Sequence, residues 1–295
     1  MKGVFTALVT PFLASGEIDT EGYKKLLKQQ KAGGVTGVIP CGTTGEAPTL
    51  SIREKQTLIQ LAVEEFGQTG VVAGTGSNNT AETVELSRWA SRQGVRGVLV
   101  VTPYYNKPTK AGLEAHFLKV ADSVDCEVML YNVPGRTGVS LTPESVAKLA
   151  KHSRIRSIKE ATGNPAFASE IVIACREAHS SIDILSGDDL TYVSLCAIGA
   201  VGVVSVISNL FPAEMCSLQK FLEQGDYARA RSLHDALFPL FRNLFVESNP
   251  GPIKFLTSRA IGFSAALRLP LVEMSAENCA LLVRTEAETK QRLRV

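Results

Sequence analysis

A lysine at the end of a short, half-apolar run is the residue best suited to covalent chemistry in this chain. It is Lys159, in Arg154-Ile155-Arg156-Ser157-Ile158-Lys159-Glu160-Ala161-Thr162-Gly163. The run follows a helix-like segment and stops at a glycine, the pattern of a short strand entering a loop. Alternation along a strand sends Ile155, Ser157 and Lys159 to one face and Ile158 to the other. Burial of an ammonium there is costly. Desolvation or a cationic neighbour lowers a lysine pKa, and the neutral amine can attack a carbonyl carbon to give an imine. Taken alone, a strand-end lysine more commonly snorkels to water. The residues at the ends of the other candidate strands favour the chemical reading.

The second candidate strand ends in Cys41-Gly42-Thr43-Thr44-Gly45-Glu46. Two hydroxyls between glycines offer side-chain donors and exposed N–H groups, a small nest in which a carboxylate could bind. The same residues would equally make a plain hydroxyl-stabilised turn before a helix. The fourth runs into Thr102-Pro103-Tyr104-Tyr105-Asn106-Lys107-Pro108, where paired tyrosines more commonly serve packing or an interface. The fifth leads to Tyr131-Asn132-Val133-Pro134-Gly135-Arg136-Thr137-Gly138. There Tyr131 stands near a strand end, and Arg136 sits in a glycine-flanked loop where its planar fork could take a carboxylate or form a surface ion pair. The seventh ends in Ser186-Gly187-Asp188-Asp189. Two acids could hold a metal, but no histidine is near, and capping of the next helix accounts for Asp189 more simply. Lysine supplies an imine, tyrosine with threonine supplies proton transfer, and arginine with hydroxyls binds carboxylates. This set suits Schiff-base carbon–carbon chemistry on a 2-oxo acid, with no metal and no cofactor.

The elements that must position these groups alternate along the chain. Candidate strands are Val4–Thr10, Val35–Cys41, Val71–Gly74, Gly97–Thr102, Glu127–Val133, Ile155–Lys159, Asp183–Ser186 and Val201–Val206. Amphipathic segments lie between them, among them Thr20–Ala32, Ser51–Phe66, Thr80–Gln93, Lys110–Val124 and Thr142–His152. Helix starts are chemically legible: Ser51 with Glu54 forms a capping box, Thr80 lies just ahead of Glu82, and Thr142-Pro143-Glu144 offers a cap, a first-turn proline and an early acid. Near-continuous apolar strands such as Gly97-Val98-Leu99-Val100-Val101 suit parallel strands covered on both faces. Such βα units at roughly 30-residue intervals predict a (β/α)8 TIM barrel, whose chemistry sits where strands end and βα loops begin. Beyond about Pro212 the strand signals stop, and Met215–Gln224, Tyr227–Phe245, Gly251–Ile261 and Ala276–Arg294 are predicted helices, with Gly225-Asp226 and Asn249-Pro250-Gly251-Pro252 as breaks. A barrel domain over residues 1–224 and a C-terminal helical domain over 225–295 follow, docked because no long flexible linker precedes the helices.

Composition excludes other classes. The chain has 295 residues, 45% of them hydrophobic and 20% charged, as in a globular protein. With 31 basic and 29 acidic residues the net charge is +2, which gives no electrostatic case for nucleic acid or an acidic membrane. The six cysteines are widely spaced with no C-x-x-C pair and read as reduced thiols of a cytoplasmic protein, several of them in the core. No signal-length or transmembrane-length apolar run occurs. The four histidines fall in helix-like segments, away from strand ends. No G-x-S-x-G, H-E-x-x-H or P-loop pattern is present, and the glycines of Val71–Asn78 lack the third of a dinucleotide fingerprint.

Gly42-Thr43-Thr44-Gly45-Glu46, Tyr131-Asn132-Val133-Pro134-Gly135-Arg136-Thr137 and Ile158-Lys159-Glu160-Ala161, in that order, resemble the dihydrodipicolinate synthase and N-acetylneuraminate lyase family of class I aldolases. The resemblance extends over essentially the whole chain. It implies a pyruvate-dependent reaction, and Thr43 and the Pro-Gly-Arg-Thr run place the chain on the synthase side of the family, since sialic acid lyases usually carry serine at the position of Thr43. The expected reaction is condensation of pyruvate with L-aspartate 4-semialdehyde to 4-hydroxy-tetrahydrodipicolinate, in lysine and diaminopimelate biosynthesis. The alternative is an aldolase or lyase of another 2-oxo acid. By the resemblance, Lys159 forms the imine, Tyr131 relays protons, and Thr43 and Tyr105 complete the relay, with Tyr105 coming from a neighbouring subunit. Thr44 holds the pyruvate carboxylate, Arg136 takes that of the aldehyde, and the backbone around Gly187 and Val204 lines the pocket. A homotetramer, a dimer of dimers, is the expected assembly.

Lysine-inhibited members bind lysine at the dimer interface, near the positions of Asn78, Glu82 and Tyr104 here, all of suitable type. Sensitive bacterial enzymes tend to carry His or Glu where this chain has Lys55. A fixed positive charge would repel the ligand's ammonium, so weak or absent feedback is expected.

Overall fold

A computed structural model describes residues 1–294 of the chain. Its strands are β1 (Gly3–Ala7), β2 (Gly37–Ile39), β3 (Val72–Gly74), β4 (Gly97–Val101), β5 (Glu127–Asn132), β6 (Ile155–Glu160), β7 (Asp183–Ser186) and β8 (Gly202–Ser205). They form one eight-stranded sheet in the order β2-β1-β8-β7-β6-β5-β4-β3. The helices in chain order are α1 (Thr20–Ala32), α2 (Ile52–Phe66), α3 (Thr80–Arg92), α4 (Lys110–Ala121), the single turn α5 (Pro134–Thr137), α6 (Pro143–Leu149), α7 (Pro165–Glu177), α8 (Tyr192–Ala197), α9 (Pro212–Glu223), α10 (Tyr227–Asn243), α11 (Gly251–Ile261) and α12 (Ala276–Arg292). This is the expected (β/α)8 barrel architecture with C-terminal helices.

Two compact units make up the chain. One comprises Met1–Gly3 with Gly67–Val204, the other Val4–Phe66 with the chain from Ser205 onward. The first holds a parallel ladder from β3 to β8 whose residues are almost all buried, as apolar strands between helices must be. Gly202 admits β1 to β8, because a β-carbon there would lie 2.2 Å from the carbonyl oxygen of Gly3. The second unit pairs β1 with β2 in parallel and buries Phe12, Tyr23, Leu26, Leu58 and Phe241 beneath its helices.

One irregularity sets the register of β6 against β5. Ile155 pairs with Val128 but Ser157 with Met129, so Arg156 is squeezed out of the β5–β6 ladder and lies exposed. A one-residue bulge moves every later side chain to the opposite face. Lys159 therefore pairs with Tyr131 rather than with Asn132. This corrects the strand-alternation expectation: Ser157 and Lys159 share a face, whereas Ile155, paired one residue out of phase, does not.

The predicted capping box is present at α2, where Ser51 and Glu54 exchange bonds of 2.8 and 3.3 Å, and Thr142 caps α6. At α3 the cap is Asn79, whose side chain accepts from the N–H of Ala81; Thr80 is already helical. The predicted loop at Arg136 is a helical turn that starts at Pro134 and ends at Gly138, φ +69°. Helices α7 and α8 correspond to no named segment of the sequence reading. Of the histidines, His116 and His234 lie in helices, while His152 and His179 sit in turns just past helix ends.

Candidate active site

In the first unit, Lys159 is 5% exposed at the end of β6, and its Nζ lies 4.2 Å from the centre of the Tyr131 ring at the end of β5. A ring face attracts a cation, more strongly where water is excluded. On the other side β7 ends at Gly187, where a β-carbon would meet the Lys159 Cε at 3.1 Å and the Ala161 Cβ at 2.6 Å. The Gly187 N–H donates to the Glu160 carbonyl at 2.7 Å, and the Ala161 N–H to that of Asn132 at 3.0 Å, so three strand ends are tied together around the lysine. Glu160 is buried and accepts from the Thr162 N–H at 2.9 Å; burial holds its carboxyl above the usual range, and the nearby charge of Asp188 adds to this. The Asp188 carboxylate accepts from the N–H of Leu190 at 3.0 Å. Val204 is buried in β8.

The loops after β3, β4 and β5 carry the remaining candidates of this unit. Arg136 is exposed on α5, while its neighbour Thr137 is buried, its Oγ1 2.8 Å from the Val139 carbonyl and 3.2 Å from the Thr102 hydroxyl. Thr137 thus anchors the turn that presents the guanidinium. Tyr105 is 89% exposed with φ +70°. A bulky residue in the left-handed region is strained, so the surrounding loop must impose this presentation. Tyr104 is half-buried; burial and the Glu82 carboxylate raise its phenol, which also lies against the Asn78 backbone. Asn106 closes the loop by donating to the Asn78 carbonyl at 2.9 Å. Asn78, Glu82 and Tyr104 therefore gather in this unit, while Lys55 lies on α2 of the other.

In the second unit, Gly42–Glu46 forms a tight turn. The N–H groups of Gly45, Glu46 and Ala47 donate within it, to Gly42, Thr43 and Gly42 at 3.1, 3.1 and 3.3 Å. These three donors are used internally, so anion recognition at the turn falls to the threonine hydroxyls and the N–H groups of Thr43 and Thr44. Gly45 is required by packing: a β-carbon would lie 3.1 Å from the Leu8 carbonyl and 3.2 Å from the Cys41 nitrogen. Thr43 is half-buried; Thr44 is buried and its Oγ1 accepts from Asn249 Nδ2 at 3.0 Å.

What holds this turn comes from far along the chain and carries no local signal in the sequence. Glu46, buried with φ +57°, accepts from Lys254 Nζ at 2.7 Å and from the Arg268 N–H at 3.1 Å. Both cations also lie over the Phe12 ring, at 4.1 and 4.3 Å. Burial pushes the Lys254 amine down to about 8, against the pull of Glu46. Removing one partner of such a pair strands a buried charge and costs about 3–5 kcal/mol. The Arg268 guanidinium also bonds Glu54 and the carbonyls of Gly16 and Thr49. Asn249 was legible only as a break before a helix.

Among the described residues, no group of three or more His, Cys, Asp or Glu is arranged to hold a metal ion, and no helix is long and apolar enough to cross a membrane. None of the six cysteines, all among the described residues, is joined in a disulfide; Cys41 and Cys175 are buried.

A βα barrel with a buried amine stacked on a phenol ring at adjoining strand ends belongs to the class of barrels that can do carbonyl chemistry through lysine. More specifically, the chain belongs to the dihydrodipicolinate synthetase family, whose sequence profile matches residues 1–287. It is 45% identical over 279 residues to the 4-hydroxy-tetrahydrodipicolinate synthase of Endomicrobium trichonymphae, covering 94% of each chain. Among solved structures it is similar to the 4-hydroxy-tetrahydrodipicolinate synthase of Methylacidiphilum fumariolicum SolV, with TM-score 0.95 and 40% identity over 100% of this chain and 97% of that one. It is also similar to the chloride-inhibited dihydrodipicolinate synthase of Acinetobacter baumannii complexed with pyruvate, with TM-score 0.93 and 34% identity over 98% and 99% of the two chains.

Proposed function

We infer that this protein condenses pyruvate with L-aspartate 4-semialdehyde to give 4-hydroxy-tetrahydrodipicolinate, a lyase reaction of lysine and diaminopimelate biosynthesis. One observation carries the inference: the buried Lys159 amine against the Tyr131 ring, at the strand ends of a chain 45% identical to a synthase of that name. The other reading, a lyase of a different 2-oxo acid, is not favoured by these relatives.

The chemistry follows from the groups present. Neutral Lys159 Nζ adds to C2 of pyruvate, and the carbonyl oxygen leaves as water to give a protonated imine. That cation draws electrons from C3, which loses a proton and becomes the enamine carbon that attacks the aldehyde. We assign proton transfer to Tyr131 and Thr43, with Tyr105 of the partner subunit completing the relay. The exposed, strained presentation of Tyr105 supports that assignment. Thr44 holds the pyruvate carboxylate, Arg136 takes the carboxylate of the aldehyde, and Gly187 with Val204 lines the site. The covalent imine serves in place of a cofactor or metal. The protein works in the cytoplasm as a homotetramer, with residues 1–224 as the catalytic barrel domain and 225–295 as the helical domain.

Intact mass and peptide mapping after pyruvate and borohydride test the assignment. A reduced pyruvate adduct on Lys159 is expected. Folded protein that acquires no adduct would overturn it.

A further inference from the structure

We propose that Asn249 is a positioning residue for pyruvate, because it sets the direction in which the Thr44 hydroxyl donates. The proposal rests on the assignment of Thr44 to the pyruvate carboxylate. A threonine hydroxyl has one hydrogen and two lone pairs. Asn249 Nδ2 donates to Thr44 Oγ1 at 3.0 Å, with Thr44 2% and Asn249 6% exposed. That bond fills a lone pair and leaves the Thr44 hydrogen free for another acceptor. A carboxylate is such an acceptor, and it would be repelled by a hydroxyl that presented lone pairs instead. The Asn249 Oδ1 is buried without a partner, so no second bond draws the amide away from the threonine.

The brace around Asn249 supports this role. Asn249 precedes α11, and Lys254, inside α11, bonds Glu46 at 2.7 Å with both side chains fully buried. One short segment thus grips the turn twice, at residues 44 and 46. The αL backbone of Glu46 and the packing of Gly45 leave the turn little freedom to adjust if one grip is altered. The C-terminal helices would then be part of substrate recognition and not only a covering layer.

The test uses Asn249→Asp, which has nearly the same shape but can only accept. It would take the Thr44 hydrogen and reverse the bond. In the full chain, pyruvate dependence is measured by borohydride trapping and by steady-state turnover. A hydrogen bond to a charged group contributes enough that about a tenfold or larger rise in half-saturating pyruvate is expected. Turnover at saturating pyruvate, the aldehyde KM and the melting temperature should stay close to the parent. In a Thr44→Val background the same substitution should add no further loss, since its route to pyruvate is gone. Asn249→Ala, read in the same way, should show a smaller rise and serves if the aspartate variant does not fold. Unchanged pyruvate dependence would overturn the proposal, as would a loss that persists in Thr44→Val or a fall in stability with kcat and both KM values altered together. No adduct in the parent would instead remove the imine assignment, and this proposal with it.

Discussion

Lys159 and Tyr131 face one another across the β5–β6 ladder, with the amine nitrogen 4.2 Å from the ring centre. The ring and the hydroxyl of Tyr131 can therefore be separated. Tyr131→Phe keeps the ring face over which the amine sits and loses only the hydroxyl to which we assign proton transfer. It should fold as the parent does and still trap pyruvate on long incubation, with turnover reduced about 10²- to 10⁴-fold, the usual contribution of a positioned acid–base group. Full turnover in Tyr131→Phe would remove Tyr131 from the relay.

Gly187→Ala should damage catalysis by crowding. The added carbon would stand 3.1 Å from the Lys159 Cε and 2.6 Å from the Ala161 Cβ, so the lysine side chain or β7 must shift. Misplacement on the ångström scale can cost about 100-fold in rate. Trapping rates with pyruvate should fall by at least about tenfold while the far-ultraviolet circular dichroism is retained. An alanine variant that traps at the parent rate would show that the strand end yields without cost.

Arg136→Ala separates the two substrates. Arg136 is exposed, and the turn that carries it is held by the buried Thr137, so the melting temperature should not change. Imine formation should persist, while the KM for the aldehyde rises about 10- to 100-fold, as expected for loss of a charge-assisted bond. Unaltered aldehyde kinetics would show that another group binds the second substrate.

Acid stability should depend on Glu54. Its bonds to Arg268 lower the carboxyl from its ordinary 4.5 to about 2. A carboxyl depressed on folding stabilises the protein above the unfolded value and loses that contribution as the pH falls through the folded one. The melting-temperature gap between the parent and Glu54→Gln should therefore be constant above pH 4.5 and close as the pH approaches 2. A gap of constant size down to that pH would assign the stabilisation to packing rather than to charge. Glu54 is only partly buried, so the gap should be modest and shrink in high salt.

Free lysine should be a poor inhibitor. Asn78, Glu82 and Tyr104 come together in one unit; by the family resemblance Lys55, on α2, stands where lysine-sensitive enzymes tend to carry His or Glu, and a positive charge at that position would repel the ligand's ammonium. Half-inhibition by submillimolar lysine in a steady-state assay would contradict this, and Lys55→Glu should increase whatever inhibition is observed.

Alternating apolar strands, capped amphipathic helices and strand-end chemistry were legible along the chain because each depends on residues within a few positions of one another. Lys159 could be singled out in this way, as could the capping box of Ser51 and Glu54. Two features of the candidate site were not. The bulge at Arg156, which turns Lys159 toward Tyr131, depends on how β6 settles against β5, and no property of β6 alone requires it. The turn at Thr44 and Glu46 is held by Asn249 and Lys254, which lie 205 and 208 residues further along. In sequence those residues are a break before a helix and one more lysine. The sequence by itself determined which groups were available and the βα alternation that carries them to strand ends. Only the tertiary structure decided which way they point, because the direction of a side chain or a hydroxyl is set by neighbours that folding brings from far along the chain.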